Sequence, residues 1–239
     1  MNATIVQESA APYGKAMVRN VTEGERRVIL HGVSWATYKA LSKDLGEDTH
    51  CRLAFDSGDL EIMSPQSSTH GKSELRIAQL VFILAEELGL RCEGVGHFTC
   101  SRDDLQKAIE PDGCFYIQHA LSIANCDHID LECHPPPDLM IEVDLSTNSL
   151  KKLPICAALG VPEHWRFNGE KLEIRILRAR NYFESTESLA FPGLNLITTI
   201  PDMLKSATDA ISMTQKFRAW VRSELRKPKS SRTRGARKS

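Results

Sequence analysis

Pro135-Pro-Pro-Asp-Leu-Met-Ile-Glu-Val143 carries the reading of the fold. Three prolines give way to a run that is apolar except for Glu142, and such a run reads as a strand buried in a sheet. An unpaired carboxylate there costs several kcal/mol. Glu142 therefore needs a cation, either a basic side chain or a metal ion. The alternative is that strand alternation turns Glu142 to solvent on a one-sided sheet.

Upstream, Glu110-Pro-Asp-Gly113 places Asp112 at the mouth of a second strand over 114–118. Downstream, Lys152 stands near the start of a helix over 149–159 that ends at Gly160. Pro154 is tolerable only in that helix's first turn, which leaves its start unsettled. Farther out, Cys51-Arg-Leu-Ala-Phe-Asp and Asp59-Leu-Glu-Ile-Met flank Ser57-Gly58 and read as a hairpin. A long helix is expected over 72–88 with Gly89 as its C-cap, and strand-like sequence follows at 94–99. Order begins near Arg27, and Ser34 is placed to cap a short helix through Tyr38 and Leu41.

After Gly160, a hairpin is expected about Asn168-Gly169, then an extended segment over 189–196 and a helical region over 201–226. This order indicates an α/β or α+β domain, a mixed sheet flanked by helices. A single domain is expected over 27–226, between a loose leader (1–26) and a basic disordered tail (227–239).

The 239 residues carry a formal charge of -1, which conceals an asymmetry. From Lys216 to Ser239 there are ten basic residues and one acid, so the remainder of the chain is acidic. The longest apolar stretch, Leu80 to Ala85, is far short of the roughly 20 residues needed to cross a bilayer. Seven cysteines, irregularly spaced and with no secretory signal ahead of them, read as reduced thiols in a cytoplasmic protein.

Asp112, Glu142 and Lys152 together suit metal-assisted phosphodiester hydrolysis. Two hard carboxylate oxygens hold Mg²⁺ (or Mn²⁺), with water and a phosphate oxygen completing the shell. The ion lowers the pKa of water, and an ammonium beside it orients that water or stabilises developing charge.

The chain also resembles the Uma-type restriction endonuclease family, a branch of the PD-(D/E)XK nuclease superfamily. The resemblance rests on Leu30-His-Gly-Val-Ser-Trp35, on Gly58-Asp-Leu-Glu-Ile-Met-Ser-Pro65 with His70, and on Glu110-Pro-Asp112. It continues through Pro136-Pro-Asp-Leu-Met-Ile-Glu-Val143, Lys152 and Gly160-Val-Pro-Glu-His-Trp165, about residues 29–225 in all. The number and order of these stretches make it specific. It implies a restriction-endonuclease-like mixed sheet flanked by helices, with Asp112 and Glu142 as metal ligands. It also implies a lysine displaced onto the following helix, where Lys152 stands; position 144 is Asp144. The family's usual tyrosine is Cys156 here, a departure expected to alter packing rather than chemistry.

His70 and Glu74, four apart at a helix start, share one face. The superfamily often takes an acidic contact from that helix, which makes Glu74 a further catalytic candidate; a histidine at a helix start is more often a cap or surface residue, and His70 reads first as that. Asp138 could be a ligand or could cap the loop that leads into the strand. Cys126, His128, Cys133 and His134 do not match paired zinc-ligand spacings and read as loop composition.

The first reading is thus a Mg²⁺-dependent endonuclease acting on DNA, with the tail 227–239 able to contact phosphates. Without interleaved aromatic residues that tail cannot read bases, so its binding is expected to be nonspecific and salt-dependent. A catalytically silent nucleic-acid-binding or regulatory module of the same fold stands as the alternative, and a hydrolase of small phosphoesters as a third. No membrane association is expected, and self-association into a homodimer is left open.

Overall fold

The computed structural model describes residues 26–46, 51–64, 68–96, 98–144 and 152–228. In chain order these form β1 (Arg26–Leu30), α1 (Trp35–Leu45), β2 (Arg52–Asp56), β3 (Asp59–Ser64) and α2 (Ser68–Glu87). Then come β4 (Glu93–Gly94), β5 (Cys100–Arg102), β6 (Lys107–Ile109), β7 (Gly113–Tyr116), α3 (Ala120–Ile123) and β8 (Leu139–Val143). The chain closes with α4 (Leu153–Leu159), β9 (Glu163–Phe167), β10 (Leu172–Arg178), β11 (Asn181–Ser185), α5 (Leu196–Ser206) and α6 (Ala210–Arg226).

The expected mixed sheet is six-stranded, in the order β11-β10-β9-β8-β7-β4. Its pairs are antiparallel except β8 with β9, which run parallel and are linked by the crossover through α4. A second, wholly antiparallel sheet, β1-β3-β2-β6-β5, stands beside it.

β8 is apolar because both faces of its sheet are covered. On one face Leu139, Ile141 and Val143, with Phe115, Trp165 and Phe167, pack against Leu80 and Leu84 of α2 and Phe217 of α6. On the other, Met140 and Cys114 meet Ile155 and Cys156 of α4 together with Ala54 and Ile109 of the second sheet. Glu142 shares the face of Met140, so it points into the seam between the sheets.

Several local expectations hold. Ser34 caps α1 by accepting from the Thr37 amide at 3.1 Å. Ser57 and Gly58 both have positive φ (52° and 98°), as a tight hairpin turn requires. α4 starts at Leu153 with Pro154 in its first turn and ends on left-handed Gly160; the part of this helix expected over 149–151 lies outside the described residues.

Other boundaries differ for identifiable reasons. α2 starts at Ser68, a turn before the reading placed it. Of the strand expected over 94–99, only Gly94 lies in a strand among the described residues, at the end of β4, and the next strand, β5, starts at Cys100 in the other sheet. Asn168-Gly169 is not a two-residue turn, because Phe167 pairs with Leu172 and the Asn168 side chain accepts from Glu170 and Lys171 amides.

Residues 189–195 form no strand. Their backbone is instead held by the buried carboxylate of Glu163, which accepts from the Ala190 amide at 2.7 Å. The closing helical region is two helices. α5 carries Pro201 inside it, and α6 is capped by Asp209, whose side chain accepts from the Ser212 amide. The expected leader lies almost wholly outside the described residues, as does the tail beyond Pro228.

Candidate active site

The Glu110-Pro-Asp turn brings the two sheets together. Glu110 accepts from the Leu53 amide at 3.0 Å, and its own amide donates to the Leu53 carbonyl, so the start of β2 is fastened beside Asp112. Asp112 precedes β7, and the register Gly113–Ile141, carried one step further, sets it beside Glu142. Its Oδ2 accepts from the Val143 amide at 2.6 Å, a backbone anchor at the site's floor. Asp112 is only 3% exposed.

Arg52 and α2 supply the opposite wall. The Arg52 guanidinium is paired with Asp112 Oδ1. Through Nη2 it also reaches Glu74 Oε2 at 3.1 Å. His70 Nε2 stands 3.2 Å from Asp112 Oδ1 and 4.0 Å from Glu74 Oε2. The i,i+4 relation thus does place His70 and Glu74 on one face, and both face Asp112.

Glu142 is 4% exposed. Its Oε2 accepts from Lys152 Nζ at 2.6 Å, whereas Oε1 is buried and meets no donor among the described residues. The solvent-facing alternative for Glu142 is therefore overturned. Lys152 reaches Glu142 because the β8–α4–β9 crossover returns the chain over that face of the sheet.

A second line of charge borders the site. Arg27 contacts Glu61 at 3.3 Å and Asp144 at 3.5 Å, and Arg166 contacts Asp144 at 3.0 Å. These pairs tie β1 and β3 of one sheet to β8 and β9 of the other.

Asp138 is turned away to structural work. It accepts from the Ile117 and His119 amides and from His119 Nδ1, at 2.6 to 2.9 Å. In the Cys126–His134 loop, His134 Nε2 faces Cys126 at 3.3 Å while Nδ1 accepts from the Asp130 amide. Its two nitrogens thus serve opposite sides of the loop. Cys156 contacts Met140 at 3.3 Å inside the seam, where it packs.

Arg52 was not singled out from sequence. The available signal was alternation: with Arg52 paired to Met63 and Ala54 to Glu61, one face of the hairpin carries both a buried Glu61 and Arg52.

The family described as "Uma2: Putative restriction endonuclease" matches residues 35–225. The chain belongs to this family. Among solved structures, the chain is similar to one titled a putative nuclease belonging to DUF820 from Anabaena variabilis ATCC 29413. That likeness has 12% identity and a TM-score of 0.44, over 77% of this chain and 99% of the other. No curated protein matches. No helix among the described residues is long and apolar enough to cross a membrane.

Proposed function

We propose that this Uma2-family chain is a divalent-metal-dependent endonuclease that hydrolyses DNA phosphodiester bonds. The observation that carries the reading is Glu142: a carboxylate buried in the central strand, with one oxygen on Lys152 and the other without a donor among the described residues. Burial of an unsatisfied anionic oxygen is costly, and a cation beside it offsets that cost. The donor set is hard oxygen from Asp112 and Glu142, which fits Mg²⁺ or Mn²⁺.

A bound ion would supply Lewis-acid stabilisation of phosphate charge and a more acidic water. The chain's own residues do the rest. Asp112, fixed by the Val143 amide, presents Oδ1 toward the site. Lys152 holds the Glu142 side chain in place, and its ammonium protons can orient a water beside the phosphate. Arg52 supplies a planar, permanently charged donor for phosphate oxygens. Glu74 supports the site by holding Arg52. Seven cysteines without a disulfide suit a reducing compartment, which we take to be the cytoplasm.

The test is cleavage of plasmid DNA by the full chain with Mg²⁺, with Mn²⁺ and with chelator, beside Glu142→Gln and Lys152→Met. Loss of an essential ligand or ammonium is expected to lower the rate by about 10²-fold or more. Cleavage in chelator, or wild-type rates in both variants, overturns the assignment. Salt-sensitive DNA binding without cleavage under either cation would leave the chain a silent binding module.

A further inference from the structure

We propose that His70, Glu74 and Asp112 form a three-ligand pocket that selects Mn²⁺ over Mg²⁺, and that Arg52 competes with the ion for it. The inference rests on the reading of Asp112 as a metal ligand and adds the ligands from the helix side. One ligand atom from each of the three residues lies within 4.8 Å of the other two. The 3.2 Å between His70 Nε2 and Asp112 Oδ1 is close to the edge of about 3 Å that an octahedron with bonds of about 2.1 Å requires. The 4.0 Å from His70 to Glu74 falls between such an edge and the octahedron's diagonal of about 4.2 Å.

The burial of the pocket argues for a ligand. The His70 and Asp112 side chains are each 1% exposed, and the Glu142 oxygen without a donor belongs to the neighbouring residue across the sheet. A surface ion pair needs none of this. Asp112 and Glu74 require positive charge, and Arg52 now provides it to both. A guanidinium and a divalent ion cannot share that space. Metal uptake therefore displaces Arg52 from Asp112, freeing its fork to meet an incoming phosphate. The imidazole decides which metal gains most. Mg²⁺ strongly prefers oxygen ligands and keeps several waters, whereas first-row transition ions take a nitrogen donor more readily, Mn²⁺ being the hardest of them.

The experiment is direct binding to the full chain without nucleic acid. Free Mn²⁺ is read by electron paramagnetic resonance, and Mg²⁺ by competition. Wild type is expected to hold Mn²⁺ at least about tenfold more tightly than Mg²⁺, and His70→Asn to bring the two within about threefold. Glu74→Gln is expected to weaken Mn²⁺ binding by about 10-fold or more, and Arg52→Gln to tighten it by about threefold or more, because its competitor is gone.

The last two positions lie at the partly exposed rim of the pocket, so they keep the test open if His70→Asn fails to fold. An unchanged Mn²⁺-to-Mg²⁺ ratio in His70→Asn overturns the proposal. So does Mn²⁺ binding that is unaffected by Glu74→Gln, or no tighter in Arg52→Gln. A chain that binds Mn²⁺ as described but cleaves no DNA refutes the nuclease reading and leaves the pocket standing. DNA cleavage with an unchanged ratio in His70→Asn refutes only the pocket.

Discussion

Both ring nitrogens of His164 are buried without a hydrogen-bond partner among the described residues, and its ring lies 5.9 Å from that of Tyr182. Burial, with the positive charges of Arg175, Lys152 and Arg166, lowers its pKa to about 3. The unfolded chain takes up this proton near the ordinary value of about 6.5, so the native state binds fewer protons between the two values. Stability from this residue is fully present above pH 6.5 and is lost as pH falls toward 3, by up to about 1.4 kcal/mol per pH unit. His164→Leu is expected to remove this slope, seen as a flatter urea midpoint than wild type between pH 6 and 4. An unchanged slope would place the acid sensitivity elsewhere. At this scale the sequence was partly legible. An acid in an apolar strand announced Glu142, but nothing in Glu163-His-Trp165 distinguished a buried histidine from an exposed one.

Turns and caps separate the elements that sequence reveals from those it hides. Ser57-Gly58 was readable because glycine marks a positive-φ turn. The turn from β10 to β11 also has two positive-φ residues, but they are Ala179 and Arg180, at 46° and 71°. With neither Gly nor Asn there, β11 gave no signal and was missed. The Glu163 carboxylate hid the next segment in another way. By accepting from Trp165 Nε1 and the Ala190 amide, it satisfies an apolar loop that reads as a strand, and burial raises its own pKa. The strained turn makes a prediction. Left-handed backbone costs non-glycine residues about 1 kcal/mol or more each, so Ala179→Asn with Arg180→Gly is expected to stabilise the fold by about 1–2 kcal/mol. A raised thermal midpoint with unchanged Mn²⁺ binding is the expected result. A lowered midpoint would mean that Arg180 makes contacts worth more than the strain.

Across the whole molecule, charge and topology decide how a polyanion could reach a seam lined by Asp112, Glu142, Glu74 and Glu61. The mixed sheet was legible from β7, β8 and the crossover to β9, because those elements are close in sequence and strongly patterned. The second sheet's place beside it was not, since Arg52 meets Asp112 across 60 residues of chain and no local pattern encodes that distance. For the same reason the cationic wall of the site, Arg52 with Arg27 and Arg166, emerged only with the fold. Those arginines are already engaged by carboxylates, so their attraction for DNA at long range is largely cancelled. The excess positive charge lies instead at the end of the sequence, where residues 229–239 hold five basic side chains and no acid. Each such charge that meets a phosphate releases counterions and adds about 0.9 to the slope of log affinity against log salt. Deleting residues 229–239 is therefore expected to lower that slope by up to about 4.5 and to weaken DNA binding at low salt, with little sequence dependence. Mn²⁺ affinity should stay at the wild-type value, because the pocket is built entirely from β2, α2 and the turn before β7. Filter binding or anisotropy over a salt series checks the point; an unchanged slope would mean that the tail neutralises the acidic body rather than holding DNA.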